Sequence, residues 1–238
     1  MLTRFRDLRL VTPPGVFVPR SDAGVLLDAA LPRLRGDVLD LCAGSGVLAL
    51  AAAPYAASVL AVDLSRRAAA TIRVNALLNR RRVEVRRGDL FAAVGSRRFD
   101  VILTNPPYVP SPPGTRSGGS ARAWEGGPRG RTLLDRICAG AADHLRPGGE
   151  ILIVHSALAD ITRTLELLRG DGLAADVLAE QWGPYGAIAR SRMDYLEASG
   201  LVDDRAAPEQ VAVIRGRRPG EAGAVPGEHG AASRAAVG

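Results

Sequence analysis

Seven apolar runs alternate with segments of helical length along most of this chain, and this alternation constrains the fold more than any other feature. Each run is short and rich in valine, leucine or isoleucine, as expected for strands that are buried on both faces. Strands that alternate with helices predict a mostly parallel sheet covered by helices on both faces. The predicted strands are residues 37–42, 58–63, 82–89, 99–105, 150–156, 173–181 and 209–216.

Helices are predicted between these strands, and two of them begin at a serine that is suited to capping a helix. Ser21 is the predicted N-cap of the first helix, and Ser65 is that of the third. The predicted helical segments are residues 21–34, 46–56, 65–78 and 131–145.

The periodic part of the sequence is flanked by two segments that lack this pattern. We expect an N-terminal extension over residues 1–20, one α/β domain over residues 21–216 and a disordered tail over residues 217–238. The tail is rich in glycine, alanine, arginine and proline, which cannot build a packed core. Residues 111–131 are also rich in glycine and proline but are internal, where a long loop is typically a lid or a binding loop.

Composition argues against several classes of protein. All 31 basic residues are arginine, a pattern typical of high-GC coding, so the net charge of +6 permits a nucleic-acid partner without arguing for one. No apolar run is long enough to span a membrane, and we expect a cytoplasmic protein. Two cysteines, Cys42 and Cys138, argue against a disulfide framework and against a zinc site.

A glycine-containing loop after the first predicted strand marks a candidate ligand site. Gly44 and Gly46 in DLCAGSGVLAL let the backbone approach a ligand closely, and the following helix offers unpaired N–H groups. The loop lacks the three glycines of a dinucleotide fingerprint, because Cys42 stands at the first glycine position, and no P-loop lysine follows.

Three aspartates lie near the carboxyl ends of successive predicted strands. Asp40 precedes the glycine loop and could meet a ligand ammonium group. Asp63 follows about 20 residues after the loop, where a carboxylate can accept both hydroxyls of a ribose. Asp89 could hold an adenine amino group, with Leu90 packing on the base. Each acid alone could simply cap a strand end, but their shared edge favours a ligand site.

The sequence NPPY, from Asn105 to Tyr108, closes the fourth predicted strand at this same edge. Pro106 and Pro107 fix two φ angles and remove two backbone donors, so they make a stiff corner. This corner carries an amide side chain, free backbone carbonyls and an aromatic ring. A lone Asn-Pro is an ordinary turn signal, but the neighbouring acids and glycine loop favour a functional interpretation.

The order of motifs along the chain resembles that of the class I S-adenosylmethionine-dependent methyltransferases. The motifs are, in order, an acid, the glycine loop, two further acids and NPPY. The chain is similar to the HemK family in two segments, NPPYVP and ARAWEGGPRGRTLLDRI (residues 121–137). Members of that family methylate the glutamine of the GGQ motif in peptide-chain release factors. AWEGGPRGR is most similar to the short branch found in eukaryotes and archaea. Only about twenty residues precede PRSDAG, so the extra N-terminal helical domain of the long bacterial branch is not expected. The resemblance covers residues 14–215.

The resemblance implies a class I methyltransferase (Rossmann-like) fold, a seven-stranded mostly parallel sheet with helices on both faces. It also implies S-adenosylmethionine as the cofactor. Ala23 stands where many relatives have threonine, and Cys42 stands where they have glycine; its small side chain can point away, so binding is expected to survive. The residues expected to contact the cofactor are Asp40, Cys42, Gly44, Gly46, Asp63, Asp89, Leu90 and Asn105.

The family acceptor is a planar amide nitrogen, which is a poor nucleophile because its lone pair is delocalised. The expected catalytic residues are Asn105, Pro106 and Tyr108. The Asn105 side-chain carbonyl and the Pro106 backbone carbonyl would each accept one N–H and aim the nitrogen at the sulfonium methyl. Pro107 would stiffen the corner, Tyr108 would stack on the flat acceptor, and Trp124 would line the acceptor channel or anchor its loop.

No strong base and no metal are expected, since the sulfonium is already an activated leaving group. His144 and His155 are interpreted as structural residues at a helix end and a strand end. The partners expected from the resemblance are a protein substrate, such as a release factor, and a small zinc-binding activator that docks near the third predicted strand. The arginines that flank this strand are equally well explained as charges that discourage edge pairing.

Four functions stay open from the sequence. The leading one is an N-methyltransferase that acts on a protein glutamine amide. An N6-adenine RNA or DNA methyltransferase also uses an NPPY corner, but it predicts an added recognition domain or a focused basic, aromatic-rich surface, and aromatic residues are scarce here. A small-molecule methyltransferase is the third. A cofactor-binding scaffold without catalysis is the fourth, and the intact NPPY argues against it.

Overall fold

The computed structural model describes residues 1–115 and 124–220 of the chain. Its strands confirm all seven that the sequence predicts and add a hairpin at the N-terminus. The strands are β1 (Leu2–Phe5), β2 (Leu8–Val11), β3 (Asp37–Leu41), β4 (Ser58–Asp63), β5 (Glu84–Arg87), β6 (Phe99–Thr104), β7 (Leu145–Ser156), β8 (Ala174–Gly183) and β9 (Glu209–Arg217).

The helices fall between the strands of the main sheet, as the alternation predicts. Ser65 caps the third helix, because its hydroxyl accepts the Ala68 N–H at 3.3 Å. The prediction of Ser21 as an N-cap was wrong: the first helix begins at Ser21 itself, and no side chain caps it. The helices are α1 (Ser21–Ala30), α2 (Val47–Ala52), α3 (Arg66–Leu78), α4 (Leu134–His144), α5 (Ile161–Gly170), α6 (Ala187–Arg190) and α7 (Met193–Ala198).

Seven strands form one sheet in the order β5-β4-β3-β6-β7-β9-β8. The first five of these are parallel, and β9 lies antiparallel between β7 and β8. The chain reverses its direction of winding at β3, which has β4 on one side and β6 on the other. Ligands of open α/β sheets bind at such a switch point, outside the carboxyl ends of the strands.

Both faces of the sheet are covered, because alternate side chains of each central strand enter two separate cores. In β3, Val38 lies in the core that contains α1 and α2, whereas Leu39 and Leu41 lie in the core that contains α4. All three are completely buried. Removing such side chains from water is the main stabilising contribution to a fold of this kind, and it fixes the strand ends that form the site.

The hairpin of β1 and β2 packs against α3 and was not predicted. Leu8 and Leu10 enter the first core, so the predicted extension of residues 1–20 shares a core with the rest of the chain. Asn75 of α3 and Asn79, the C-cap residue of that helix, bond to the backbone of β2 as a strand partner would. The Asn75 side chain accepts the Val11 N–H at 2.7 Å and donates to the Val11 carbonyl at 3.1 Å.

A segment of residues 184–208 links β8 to β9 and contains α6 and α7. It has a small core of its own, made by Ala189, Met193, Leu196 and Val202 with Leu158 from the end of β7. Residues 221–238, most of the predicted tail, lie outside the described residues, as do residues 116–123 of the predicted loop. No helix in the described ranges has the length and apolar character needed to cross a membrane.

Candidate active site

Three aspartates lie at the carboxyl edge of the neighbouring strands β3, β4 and β5. Burial raises the pKa of the Cys42 thiol, and the charges of Asp63, Asp40 and Asp89 raise it further. Charges have such an effect only when they are close to the group that titrates. The structure therefore brings together the three acids that the sequence analysis placed at one edge of the sheet.

Asp63 organises the loop that lies beside it. Its Oδ2 accepts the Gly44 N–H at 2.8 Å, and its Oδ1 accepts the Ser65 N–H at 2.8 Å. Burial raises the pKa of this carboxyl, and the two backbone hydrogen bonds only partly oppose that effect. Each carboxylate oxygen has a second lone pair, so Asp63 can hold the loop and still accept two ligand hydroxyls.

Asp40 is completely buried and carries an oxygen without a partner. Its Oδ2 accepts the Ala49 N–H at 3.0 Å, but no group within the described residues bonds its Oδ1. Burial raises the pKa of Asp40 to about 8. A buried polar atom left unpaired is unfavourable, so this oxygen is suited to accept a hydrogen bond from a ligand.

The glycine loop has no space for larger residues at its two glycines. Gly44 and Gly46 have φ angles of 55° and 82°, in the region that favours glycine. A Cβ atom at Gly46 would lie 2.9 Å from the side chain of Ile72, and one at Gly44 would lie 3.1 Å from Phe17. Cys42 also adopts a positive φ angle, 59°, which costs a non-glycine residue about 1–2 kcal/mol.

The end of β5 carries Asp89 and Leu90, which have different environments. The Asp89 carboxylate is about half exposed and pairs with Arg136 at 2.7 Å. Leu90 is buried in the second core and is only 7% exposed. Leu64, which follows Asp63, is 54% exposed, so it offers an aliphatic surface beside these acids that the sequence analysis did not select.

Asn105 is held by Asp22, a buried carboxylate in the first turn of α1. The Asn105 Nδ2 donates to the Asp22 Oδ2 at 3.0 Å. An ionised carboxylate can accept hydrogen bonds but cannot donate one, so the amide turns its NH₂ group towards Asp22. The Asn105 Oδ1 then faces the other way and is available as an acceptor.

Tyr108 is also anchored on Asp22. Its hydroxyl donates to the same Oδ2 at 3.2 Å. Burial raises the pKa of Tyr108 well above its usual value, and the charges of Asp22 and Glu209 act in the same direction. The phenol therefore stays protonated at neutral pH and continues to donate to Asp22.

His155 lies near the Tyr108 ring, with 6.4 Å between the ring centroids, but it has no free ring nitrogen. Its Nδ1 contacts the Ser156 carbonyl at 2.9 Å, and its Nε2 contacts the Thr164 hydroxyl at 2.9 Å. Burial lowers the pKa of His155 to about 4, so the ring is neutral at pH 7. His144 ends α4 and contacts the Gly140 carbonyl at 2.7 Å. The contacts of His144 and of His155 agree with structural roles for the two residues.

A cavity of about 260 Å³ opens beside the NPPY corner. One wall is formed by Asn105 to Val109, and another by Phe17, Arg20 and Asp22 from the start of α1. Trp124 also lines it. Asn105 therefore both follows the carboxyl end of β6 and lines this cavity.

The loop after the corner is fixed by backbone pairing. The Val109 N–H donates to the Trp124 carbonyl at 3.0 Å, and the Gly126 N–H donates to the Val109 carbonyl at 2.9 Å. A Cβ atom at Gly130 would lie only 2.2 Å from the Tyr108 carbonyl oxygen, so this part of the loop packs directly on the corner. Trp124 lines the cavity beside the corner, because its carbonyl pairs with the Val109 N–H.

Comparison with known proteins agrees with this geometry. Residues 7–116 match the model of the methyltransferase small domain. A Methanocaldococcus jannaschii protein, provisionally named a protein N5-glutamine methyltransferase, is 30% identical over 187 residues, which cover 78% of this chain and 94% of that protein. The chain belongs to the HemK family.

A second HemK-family relative is the release factor glutamine methyltransferase of Gloeobacter violaceus, 34% identical over 204 residues. The match covers 79% of this chain and 66% of that relative, so the chain spans about two thirds of its length. The solved E. cuniculi Mtq2–Trm112 complex, described as responsible for the methylation of the termination factor eRF1, aligns with a TM-score of 0.60. Its identity is 22%, over 86% of this chain and 99% of that one, and this likeness shows the class I methyltransferase fold.

Asp22 is a residue of the candidate site that sequence reasoning missed. The sequence analysis noted this position only for the neighbouring Ala23, and nothing local marks Asp22 as a partner of a residue 83 positions away. One signal was present: a carboxylate in the first turn of a helix whose neighbours Ala23, Leu26 and Leu27 are all apolar. In the structure Asp22 is only 7% exposed.

Proposed function

We propose that this protein transfers a methyl group from S-adenosylmethionine to the side-chain amide nitrogen of a glutamine in another protein. The GGQ glutamine of a peptide-chain release factor is the first substrate to test, since relatives are named for this activity. The observation that carries the proposal is the Asn105 amide beside a cavity: Asp22 accepts from its Nδ2, and no group within residues 1–115 and 124–220 bonds its carbonyl oxygen.

The residues at the sheet edge fit S-adenosylmethionine. The unpaired Asp40 Oδ1 could accept its α-ammonium group, and the Asp63 carboxylate has lone pairs for both ribose hydroxyls. The positive φ angles of Gly44 and Gly46 form the tight turns that would bring the loop backbone against the cofactor. Leu64 and the Asp89 carboxylate would meet the adenine. When bound, the cofactor supplies an activated sulfonium methyl group.

The NPPY corner would orient the acceptor amide. The Asn105 Oδ1 accepts one N–H of the acceptor, and the Pro106 carbonyl accepts the other; no donor within the described residues bonds that carbonyl. These two bonds fix the plane of the amide and turn the nitrogen lone pair towards the methyl group. Preorganised acceptors of this kind lower the barrier because they need not reorient during the reaction.

The proton leaves the nitrogen for solvent after transfer, because the nearby titratable groups do not act as bases. Tyr108 holds its proton, since its pKa is raised well above the usual value. His155 is neutral, but both of its ring nitrogens are engaged. Asp22 already accepts hydrogen bonds from Asn105 and Tyr108. The arrangement therefore supports methyl transfer by orientation rather than by acid–base catalysis.

A second subunit is the finer part of the proposal. The aligned E. cuniculi structure is a two-protein complex, and β5 of this chain ends the sheet with a free edge. On α3, which contacts β5, Val74 is 49% exposed and Leu77 is 81% exposed. An edge strand beside apolar side chains suits the addition of a partner strand. A small zinc-binding activator is the candidate to add.

The experiment is a methyl-transfer assay with labelled S-adenosylmethionine and purified release factors, each with and without a candidate activator. We expect label on the GGQ glutamine, located by mass spectrometry, and none on a factor whose glutamine is replaced by alanine. Asn105→Ala should abolish turnover and leave S-adenosylhomocysteine affinity nearly unchanged. If the wild type binds S-adenosylhomocysteine but labels neither factor with the activator present, the release factor is not the substrate. Label on RNA or DNA instead would favour adenine as the acceptor.

A further inference from the structure

The acceptor cavity has a wall that the NPPY corner does not supply. Pro184, Gly186, Ile188 and Ala189 line it, opposite Asn105 to Val109. These four residues belong to the segment of residues 184–208 between β8 and β9, which we name the cap. An acceptor that reaches Asn105 must therefore pass beside the cap.

The cap packs as a unit that is joined to the end of β7. Met193 and Leu196 of α7 pack with Val202 and with Leu158, the residue that follows β7 closely. Leu196 is completely buried. The cap is thus a folded element. Its position relative to the cavity depends on the contacts that join it to the loop after the NPPY corner, which we name the acceptor loop and which the structure describes over residues 109–115 and 124–131.

One guanidinium group makes that connection. The Arg192 Nη2 contacts the Glu125 Oε1 at 2.6 Å, and the Arg192 Nη1 donates to the Pro110 carbonyl at 2.9 Å. The side chains are 16% exposed for Arg192 and 2% exposed for Glu125. The hydroxyl of Tyr195 adds a bond to the Pro128 carbonyl at 2.8 Å.

These contacts act directly on the corner. Glu125 lies between Trp124 and Gly126, which pair with Val109, the residue after Tyr108. Pro110 continues the same strand of that pairing. Arg192 therefore contacts both paired segments of the acceptor loop. It bonds Glu125 on one segment and, on the other, Pro110, which lies two residues beyond Tyr108.

We propose that the cap is the element that selects the methyl acceptor, and that Arg192 is the positioning residue that sets the cap and the acceptor loop at the correct distance. This inference rests on the proposed methyltransferase function for its activity test. Arg192 contacts no reacting atom; it acts through Glu125 and Pro110. Loss of Arg192 leaves a buried carboxylate without its cation, which is strongly unfavourable, so the loop must move to hydrate it.

The activity test compares Arg192→Gln with Arg205→Gln, a matched control in the same segment. Arg205 is 57% exposed, and its ion pairs among the described residues are with Glu197 and Asp194 of the cap. Such exposed pairs have small effects. We expect Arg192→Gln to raise the acceptor KM about tenfold or more, with S-adenosylhomocysteine affinity unchanged. Arg205→Gln should behave as wild type. Arg192→Lys should recover part of the loss, because it restores the charge without the two-pronged geometry.

A second readout needs no acceptor and stands even if the proposed function fails. The chain has two tryptophans, so in a Trp182→Phe background the emission reports on Trp124 in the cavity wall. Arg192→Gln should shift this emission to longer wavelength and increase quenching by acrylamide, whereas Arg205→Gln should change neither. Circular dichroism and thermal unfolding check that the variants fold, and Arg192→Lys replaces Arg192→Gln if the latter does not.

The proposal is overturned if folded Arg192→Gln, or its Lys replacement, keeps the wild-type Trp124 emission. The proposal is also overturned if the variant lowers cofactor affinity while the acceptor KM is unaffected, because the cap would then contribute to cofactor binding and not to acceptor binding. If the wild type methylates no protein while the emission shifts as expected, the proposed substrate is wrong, but the cap remains the wall that Arg192 positions.

Discussion

Titration of Asp40 should make both folding and cofactor binding depend on pH. Burial raises its pKa from the ordinary 3.8 to about 8 in the folded protein. The folded state therefore binds this proton more tightly than the unfolded state, and the free energy of unfolding falls as pH rises from about 4 to about 8. A difference of about 4 units corresponds to roughly 6 kcal/mol at most. Asp40→Asn should remove this part of the pH dependence.

The consequence for binding follows from the ligand's charge. An α-ammonium group bound to Asp40 requires the ionised carboxylate, so below about pH 8 binding must release a proton, and affinity falls up to about tenfold per pH unit. Above about pH 8 the ligand's own amino group loses its charge, so affinity falls again. S-adenosylhomocysteine should therefore bind best near pH 8, and its affinity at pH 6 should be roughly 25-fold to 50-fold lower than at pH 8.

Calorimetric titration at several pH values, in two buffers of different ionisation enthalpy, measures both the affinity and the proton release. 5′-Methylthioadenosine lacks the amino-acid part and is the matched control, since its affinity should not change between pH 6 and pH 8. Equal affinities of S-adenosylhomocysteine across that range, without proton release, would refute the assigned contact. So would an Asp40→Asn variant that keeps the wild-type pH profile.

Two further substitutions separate the cofactor side from the acceptor side. Asp63→Ala should weaken S-adenosylhomocysteine binding at least about tenfold, because the bonds from the Gly44 and Ser65 N–H groups and two lone pairs for the ribose are lost. Calorimetry at pH 8 would show it, and unchanged affinity would exclude Asp63 from the site. Asp22→Ala should lower turnover about tenfold or more without changing that affinity, since the Asn105 amide and the Tyr108 hydroxyl lose their shared acceptor. Single-turnover rates at saturating cofactor test this, and equal rates would mean that Asp22 does not orient Asn105.

The main sheet was predictable because its strands are buried on both faces and thus read as apolar runs. The hairpin was not, since β1 (LTRF) and β2 (LRLV) have only four residues each and neither is a continuous apolar run. Its turn contains Arg6 at a φ angle of 54°, whereas such turns usually show asparagine or glycine. Tertiary contacts with Asn75 and Asn79 impose this conformation.

The candidate site divides in the same way. Gly44, Gly46 and Asp63 could be selected from the sequence, because the glycine loop comes soon after β3, Asp63 ends β4, and the strand ends share one edge. The bond between Asp22 and Asn105 could not, since it joins residues that no local pattern relates. Arg192 lies just before a helix of six residues, which is too short for a helical period to show.

This division has a physical consequence for specificity. The cofactor side is formed by strand ends of one rigid sheet, so its geometry follows from the fold itself. The acceptor cavity is formed by the start of α1, the NPPY corner, the loop around Trp124 and the cap, which are joined by bonds such as those of Asp22 and Arg192. Changes in those connecting residues can alter the acceptor without disturbing the sheet. The acceptor should therefore be sought by varying the cap and its fastening, rather than the residues that resemble every member of the family.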